Sequence, residues 1–294
     1  MQKDETEQLA AFIISHRRPD NVITYNALRN HGFSGRIVII IDNLDETADK
    51  YYELYGREQV VMFDKPAIAK TFDIGDNFDN YRSTSYARNA AFDVAEHLGI
   101  KYFIVLDDDY NDFRYRFNDR LEYIPACKKA HNLDQLFRAM LDFMINCPQV
   151  HSIAMAQGGD YIGGEDNPFA QKVGTKRKCM NSFVCCTDRR FEFISRMNED
   201  VNTYVRHGSV GMIFFTLNHV SLNQKQTQGA AGGMTELYVS LGTYVKSFYS
   251  VMYMPSAVKV RMMHTHNRRI HHAIRWNNTT PMIIPERFRK ESEQ

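Results

Sequence analysis

The stretch KYFIVLDDDYNDF, Lys101 to Phe113, sets an apolar run directly against three consecutive aspartates. Residues 102–106 are uncharged and rich in aromatic and branched side chains, the pattern of a strand buried on both faces. Packing like charges at the end of such a strand costs free energy unless something positive sits among them. The triplet is either a cation site or a solvated acidic turn, and the buried strand leading into it favours the cation. Strand alternation sends Asp107 and Asp109 to one face and Asp108 to the other, so the first and third are expected to share an ion. Ligands that are all oxygen suit a hard divalent cation, Mn2+ or Mg2+, which keeps positions for phosphate oxygens.

Upstream of this strand the chain alternates two periodicities. AAFIIS (10–15) is a short apolar run ending in the polar cluster Ser15, His16, Arg17 and Arg18. DNVITYNALRNHGF reads as a helix with Asp20 near its start and Gly32 near its stop. RIVIIID (36–42) is a second buried strand, ETADKYYELYG a helix and QVVMF (59–63) a third strand. STSYARNAAFDVAEHLG is a long helix that stops at Gly99 and feeds the strand before the triplet. Strands alternating with helices imply right-handed crossovers and a parallel sheet. Ligands of such sheets bind beyond the carboxyl ends of the strands, which puts Ser15–Arg18, Asp42 and Asp107–Asp109 along one rim. The second half is less regular. NLDQLFRAMLDFMINCP predicts an amphipathic helix, VHSIAMAQ a strand, NSFVCCTDRRFEFI a strand, turn and strand, and MIFFTLNHVSL and FYSVMYMPSAVKVRMM further strands. One mixed α/β domain with an elaborated second half is expected.

Across 294 residues, 36 Lys and Arg balance 35 Asp and Glu, so the overall charge identifies no polyionic partner. The distribution says more. Lys172, Lys176, Arg177 and Lys178 form one basic cluster, and Lys259, Arg261, Arg268, Arg269, Arg275, Arg287, Arg289 and Lys290 make the last segment basic. Five cysteines lack CxxC spacing, which predicts reduced thiols and a cytoplasmic protein. The first residues carry an apolar run of about five, too short for a signal peptide. No later run reaches the ~18 apolar residues of a membrane span.

Further downstream, Glu199 and Asp200 in SRMNEDVNTY open a helical pattern. Acids there are often simple dipole partners. Beside a metal-held diphosphate, however, an inverting transfer needs a separate carboxylate to take the acceptor's proton, and Asp200 is the candidate. Arg88 and Asn89, early in the helix that feeds the triplet, are candidates for a phosphate or sugar at the same rim. The Ser15–Arg18 loop offers backbone N–H groups and basic side chains to phosphates, and Asp42 an acceptor to a base or ribose. His264 and His266, two apart after a strand, are candidates to complete a metal shell.

An apolar strand closed by Ser and Arg, then IIID, YARNAA, IVLDDDY, NED and a late His, in this order, resembles the GT-A class of nucleotide-sugar-dependent glycosyltransferases. DDD matches the DxD metal motif of that class and NED its xED motif, whose acid is the base in inverting members. FIISHRRPDNVITYNAL, YARNAA and YFIVLDDDY are similar, more narrowly, to the glycosyltransferases related to the base J glucosyltransferase, found in phages and near TET/JBP-type pyrimidine hydroxylases.

The resemblance implies a Rossmann-type, mostly parallel sheet flanked by helices, in one domain. Residues 1–112 would bind the nucleotide sugar, 113–255 would form the acceptor and catalytic half, and 256–294 a basic tail. It implies a UDP-sugar donor at Ser15–Arg18, Asp42, Arg88, Asn89, Asp107 and Asp108. Mn2+ or Mg2+ would lie on Asp107 and Asp109 with His264 or His266. Asp200 would be the base, with Glu199 positioning donor or acceptor. The implied acceptor is a hydroxymethylated pyrimidine in DNA, contacted by Lys176, Arg177, Lys178, Arg268 and Arg269, and the setting is the cytoplasm of a phage's host. A protein or glycan acceptor, a metal-dependent nucleotidyltransferase and a non-catalytic nucleic-acid-binding protein are the alternatives. No membrane partner is expected.

Overall fold

The computed structural model describes residues 9–76, 81–161, 164–166, 179, 181–224, 245–263 and 269–280. The first half alternates β1 (Leu9–Ile14), α1 (Ile23–Asn30), β2 (Ile37–Asp42), α2 (Ala48–Tyr55), β3 (Val60–Phe63), α3 (Lys65–Ala69), α4 (Ser85–His97) and β4 (Tyr102–Asp107). The second half follows with β5 (Tyr110–Phe117), β6 (Tyr123–Lys129), α5 (Leu133–Asn146), β7 (Val150–Gln157), β8 (Ser182–Cys186), α6 (Glu199–Ser209) and β9 (Ile213–Gln224). A separate antiparallel pair, β10 (Val258–Met263) and β11 (Arg269–Ile274), comes after them.

One nine-stranded mixed sheet runs in the order β3-β2-β1-β4-β8-β7-β9-β5-β6. The block from β3 to β4 is parallel, β8 is antiparallel to both of its neighbours, and β7 and β9 are parallel to each other. The carboxyl ends of β1, β2, β4, β7 and β9 therefore share a rim. Chain alternation explains why both faces of this sheet are apolar. Leu9, Ala11 and Ile13 of β1 join Ile104 and Leu106 of β4 in a core beneath α1, α2 and α5. Ala10, Phe12 and Ile14 join Phe103 and Val105 in the core beneath α4 and α6. Each fully buried Leu, Ile, Val or Phe among these stabilises the fold by ~1.5–3 kcal/mol, and a run such as FIVL has no polar residue because neither face meets water.

Helix ends follow the sequence signals. Gly32 and Gly99 take φ of +82° and +67° just past α1 and α4, a conformation that L side chains resist. Asp20 sits in a separate 3-10 turn, and α1 begins three residues later without a side-chain cap. Two further expectations differ. Residues 191–195 form no strand: Phe193 N–H donates to the Asn89 side chain and Ser195 N–H to the Asp73 carbonyl, so the backbone is satisfied outside the sheet. Residues 245–253 are helical, and the strand β10 begins only after Pro255, which the preceding helix cannot incorporate. Among the described residues no helix is long and apolar enough to cross a membrane, and Cys147, Cys179, Cys185 and Cys186 are free thiols.

Candidate active site

The parallel register aligns Ile14 with Asp107, so the loop after β1 and the acidic triplet meet at the rim. The three carboxylates then diverge, because β4 ends at Asp107 and the chain turns through Asp108 and Asp109 into β5. Asp107 Oδ1 accepts from Arg88 at 2.9 Å, and its Oδ2 lies 3.4 Å from the Tyr110 hydroxyl. Asp108 accepts from the Ser15 hydroxyl at 2.6 Å and lies 3.4 Å from the Arg18 guanidinium. Both oxygens of Asp109 accept from Gln224 Nε2, at 2.9 and 3.0 Å. The simple alternation of faces drawn from an ideal strand thus stops at Asp107.

Burial holds the Asp107 carboxyl above its ordinary range despite Arg88, and the nearby charge of Asp109 adds to the rise. Burial likewise pushes Asp108 up to about 6, with the Ser15 hydrogen bond and Arg18 pulling the other way. Tyr110 is raised by burial and by Asp107. Negative charge is in excess here, as a cation site requires. Asp107 and Asp109 fit a hard divalent cation by the chemistry of their oxygens. Among the described residues no group of three or more His, Cys, Asp or Glu is placed to hold a metal by itself.

Arg88 is the centre of the arrangement. It is 1% exposed, lies 5.3 Å from the Phe183 ring, and its two terminal nitrogens reach Asp107 at 2.9 Å and Glu199 at 2.6 Å. Glu199 also accepts from Thr84 at 2.7 Å, and Arg88 donates to the Asn181 side chain at 3.2 Å. Glu199 is therefore turned into the protein at the first residue of α6, while its neighbour Asp200 is partly exposed. The buried guanidinium joins the triplet to the start of α6.

The loop after β1 is tightly tied. Tyr51 lies 2.7 Å from the Ser15 hydroxyl and accepts the Arg18 N–H at 2.9 Å, while the Arg17 N–H donates to Asp45 at 2.6 Å. His16 lies 2.8 Å from Asp42, which also accepts from Lys65 at 3.1 Å. Burial alone would raise Asp42, but the His16 hydrogen bond and the Lys65 charge outweigh it and leave the carboxyl below its usual range. Asn89 faces away from the triplet: both ends of its amide bond the Phe193 backbone at 2.8 Å. His264, His266, Lys176, Arg177, Lys178 and Arg268 lie outside the described residues, and Arg269 opens β11. Thr84, Tyr51, Asn181 and Gln224 join the site without any local motif. Tyr110 is different, because it directly follows the triplet in sequence.

A family model described as TET-Associated Glycosyltransferase matches residues 9–233, which include every group in this network. The chain belongs to the TET-associated glycosyltransferase family. It is accordingly a glycosyltransferase, as the resemblance in its sequence implied. No curated protein matches this glycosyltransferase.

Solved structures similar to it include a mannosyltransferase, PcManGT from Pyrobaculum calidifontis, in complex with GDP-Man and Mn2+. That match has 11% identity and a TM-score of 0.45 over 85% of this chain and 74% of the other. Glucosyl-3-phosphoglycerate synthase from Mycobacterium tuberculosis, with Mn2+, UDP and glucosyl-3-phosphoglycerate, has 7% identity and a TM-score of 0.43 over 91% and 87%. S. aureus TarS 1-349 with UDP-GlcNAc has 12% identity and a TM-score of 0.43 over 84% and 72%.

Proposed function

We propose that this glycosyltransferase moves a sugar from a UDP-sugar, with inversion, onto the hydroxyl of a hydroxymethylated pyrimidine in DNA. The observation that carries the mechanism is the Arg88 bridge, 2.9 Å to Asp107 and 2.6 Å to Glu199. A single buried cation ties the donor end of the site to the helix start that carries Asp200. Asp107 and Asp109 would hold a divalent cation, Mn2+ or Mg2+, which when bound offsets the charge developing on the diphosphate. The tied loop at Ser15–Arg18 lies at the same rim and suits the donor's nucleotide.

In the transfer, the acceptor's hydroxyl oxygen bonds the anomeric carbon from the side opposite UDP. The bond from that carbon to the β-phosphate oxygen breaks, its electron pair leaving with UDP, and the hydroxyl proton passes to Asp200. Glu199, held by Arg88 and Thr84, keeps in place the first turn of α6, which carries the partly exposed Asp200. The hydroxymethyl-pyrimidine acceptor rests on membership of a family named for its association with TET.

The test is incubation of the protein with a panel of UDP-sugars and Mn2+ beside oligonucleotides containing hydroxymethylcytosine, hydroxymethyluracil or neither. Sugar transfer to modified DNA alone, with UDP released, is expected. Transfer to a protein or glycan and to no modified DNA would overturn the acceptor. Release of pyrophosphate would indicate a nucleotidyltransferase.

A further inference from the structure

The rim holds a concavity. Beside the acidic triplet, the ends of β7 and β9 and the start of β5 enclose a cleft of about 530 Å3. It is continuous with the triplet, since Gln224 of its wall donates to both oxygens of Asp109.

The chemistry of the lining is specific. Four carboxamides, Asn111, Gln157, Asn223 and Gln224, face a cleft that also bears Arg114 and Lys129. The Gln157 amide nitrogen is buried without a hydrogen-bond partner. Such a donor costs free energy until a ligand satisfies it. The carboxylate of the lining, Asp112, is already engaged by Arg114 Nε at 2.6 Å and lies 3.0 Å from His31 Nε2. Gly158 leaves room, because a Cβ there would stand 3.3 Å from Asn223 Oδ1; one at Gly159 would meet nothing within 4 Å.

A carboxamide presents a donor and an acceptor side by side, the complement of a nucleobase edge. An apolar ligand would leave the buried Gln157 amide nitrogen unpaired, and a neutral glycan would bring no anion to Lys129. A nucleotide supplies both the edge and the phosphates. We propose that this cleft is the acceptor pocket, taking a pyrimidine base turned out of its strand. Gln157 and Asn223 read the base edge, and Lys129 holds a flanking phosphate. The assignment rests on the DNA reading above and gives it a location. Extrusion of the base brings its hydroxymethyl group to the rim, out of the stack that would otherwise shield it.

The experiment uses the full chain with hydroxymethylated oligonucleotides as acceptor. Gln157→Ala and Asn223→Ala are compared with wild type for acceptor KM and kcat, with unfolding temperature as the control for folding. Each is expected to raise acceptor KM about tenfold or more, the scale of one lost bidentate base contact. Lys129→Ala is expected to reduce the salt slope of DNA binding by about one. Gly159→Leu, which adds bulk where a Cβ meets nothing, is expected to lower transfer in a protein that still folds. Unchanged KM in both amide variants, with wild type active on modified DNA, would overturn the pocket and leave the DNA acceptor standing. Wild type inactive on every modified DNA would overturn both.

Discussion

Asp42 shows how a single rim carboxylate couples fold to pH. It is 3% exposed, pairs with Lys65 and His16, and its second oxygen accepts the Leu44 N–H at 3.1 Å. A carboxyl held below its unfolded value contributes stability that is complete above the unfolded pKa of 3.8. That contribution is lost as pH falls through the folded value. Asp42→Asn keeps the bond to Leu44 but strands the buried Lys65, and is expected to cost about 3 kcal/mol at pH 7. Urea unfolding at pH 7 and at pH 3 checks this: the gap to wild type narrows at the lower pH. A gap that persists undiminished at pH 3 would separate Asp42 from the acid limb. Individual residues of this kind were legible in the sequence wherever they closed a strand or a motif, as Ser15, Asp42 and Asp107 do. Tyr51, Asn181 and Gln224 were not, since each reaches the rim from a distant segment through tertiary packing that no local pattern records.

At the scale of elements, β4 and α6 are joined by the side chain of a third element, α4. Arg88→Met would leave Asp107 and Glu199 buried without their shared partner, and a loss of about 3–5 kcal/mol is expected in urea unfolding. Arg88→Lys is expected to recover only part of it, because an ammonium cannot span two carboxylates as a planar fork does. Full recovery by lysine would reduce the bridge to a simple point charge. Helices and strands with a strong period, such as α5 and β7, were evident in sequence. The β5–β6 hairpin was not, because buried polar residues, Asp112 and Arg116, interrupt its apolar pattern. Residues 245–253 looked strand-like through Phe248, Val251 and Tyr253, yet their buried Ser247, Tyr249 and Ser250 belong to one side of a helix.

For the molecule as a whole, strand direction gathers the chemistry. The parallel block brings the loop after β1, Asp42 and the triplet to one rim, and the reversal at β8 lets β7 and β9 deliver the amide cleft to the same rim. On the proposed assignment, donor and acceptor functions are separable. Asp200→Asn is expected to lower turnover by ~10²–10⁴-fold while UDP-sugar affinity stays near wild type. Loss of donor binding with turnover retained would move Asp200 into the donor site. The central claim, inverting transfer onto a hydroxymethylated base, is tested most directly by NMR of the DNA product made from an α-linked UDP-sugar. A β-linked sugar on the hydroxymethyl oxygen is predicted; an α-linked sugar there would contradict the mechanism, and DNA carrying no sugar would contradict the acceptor.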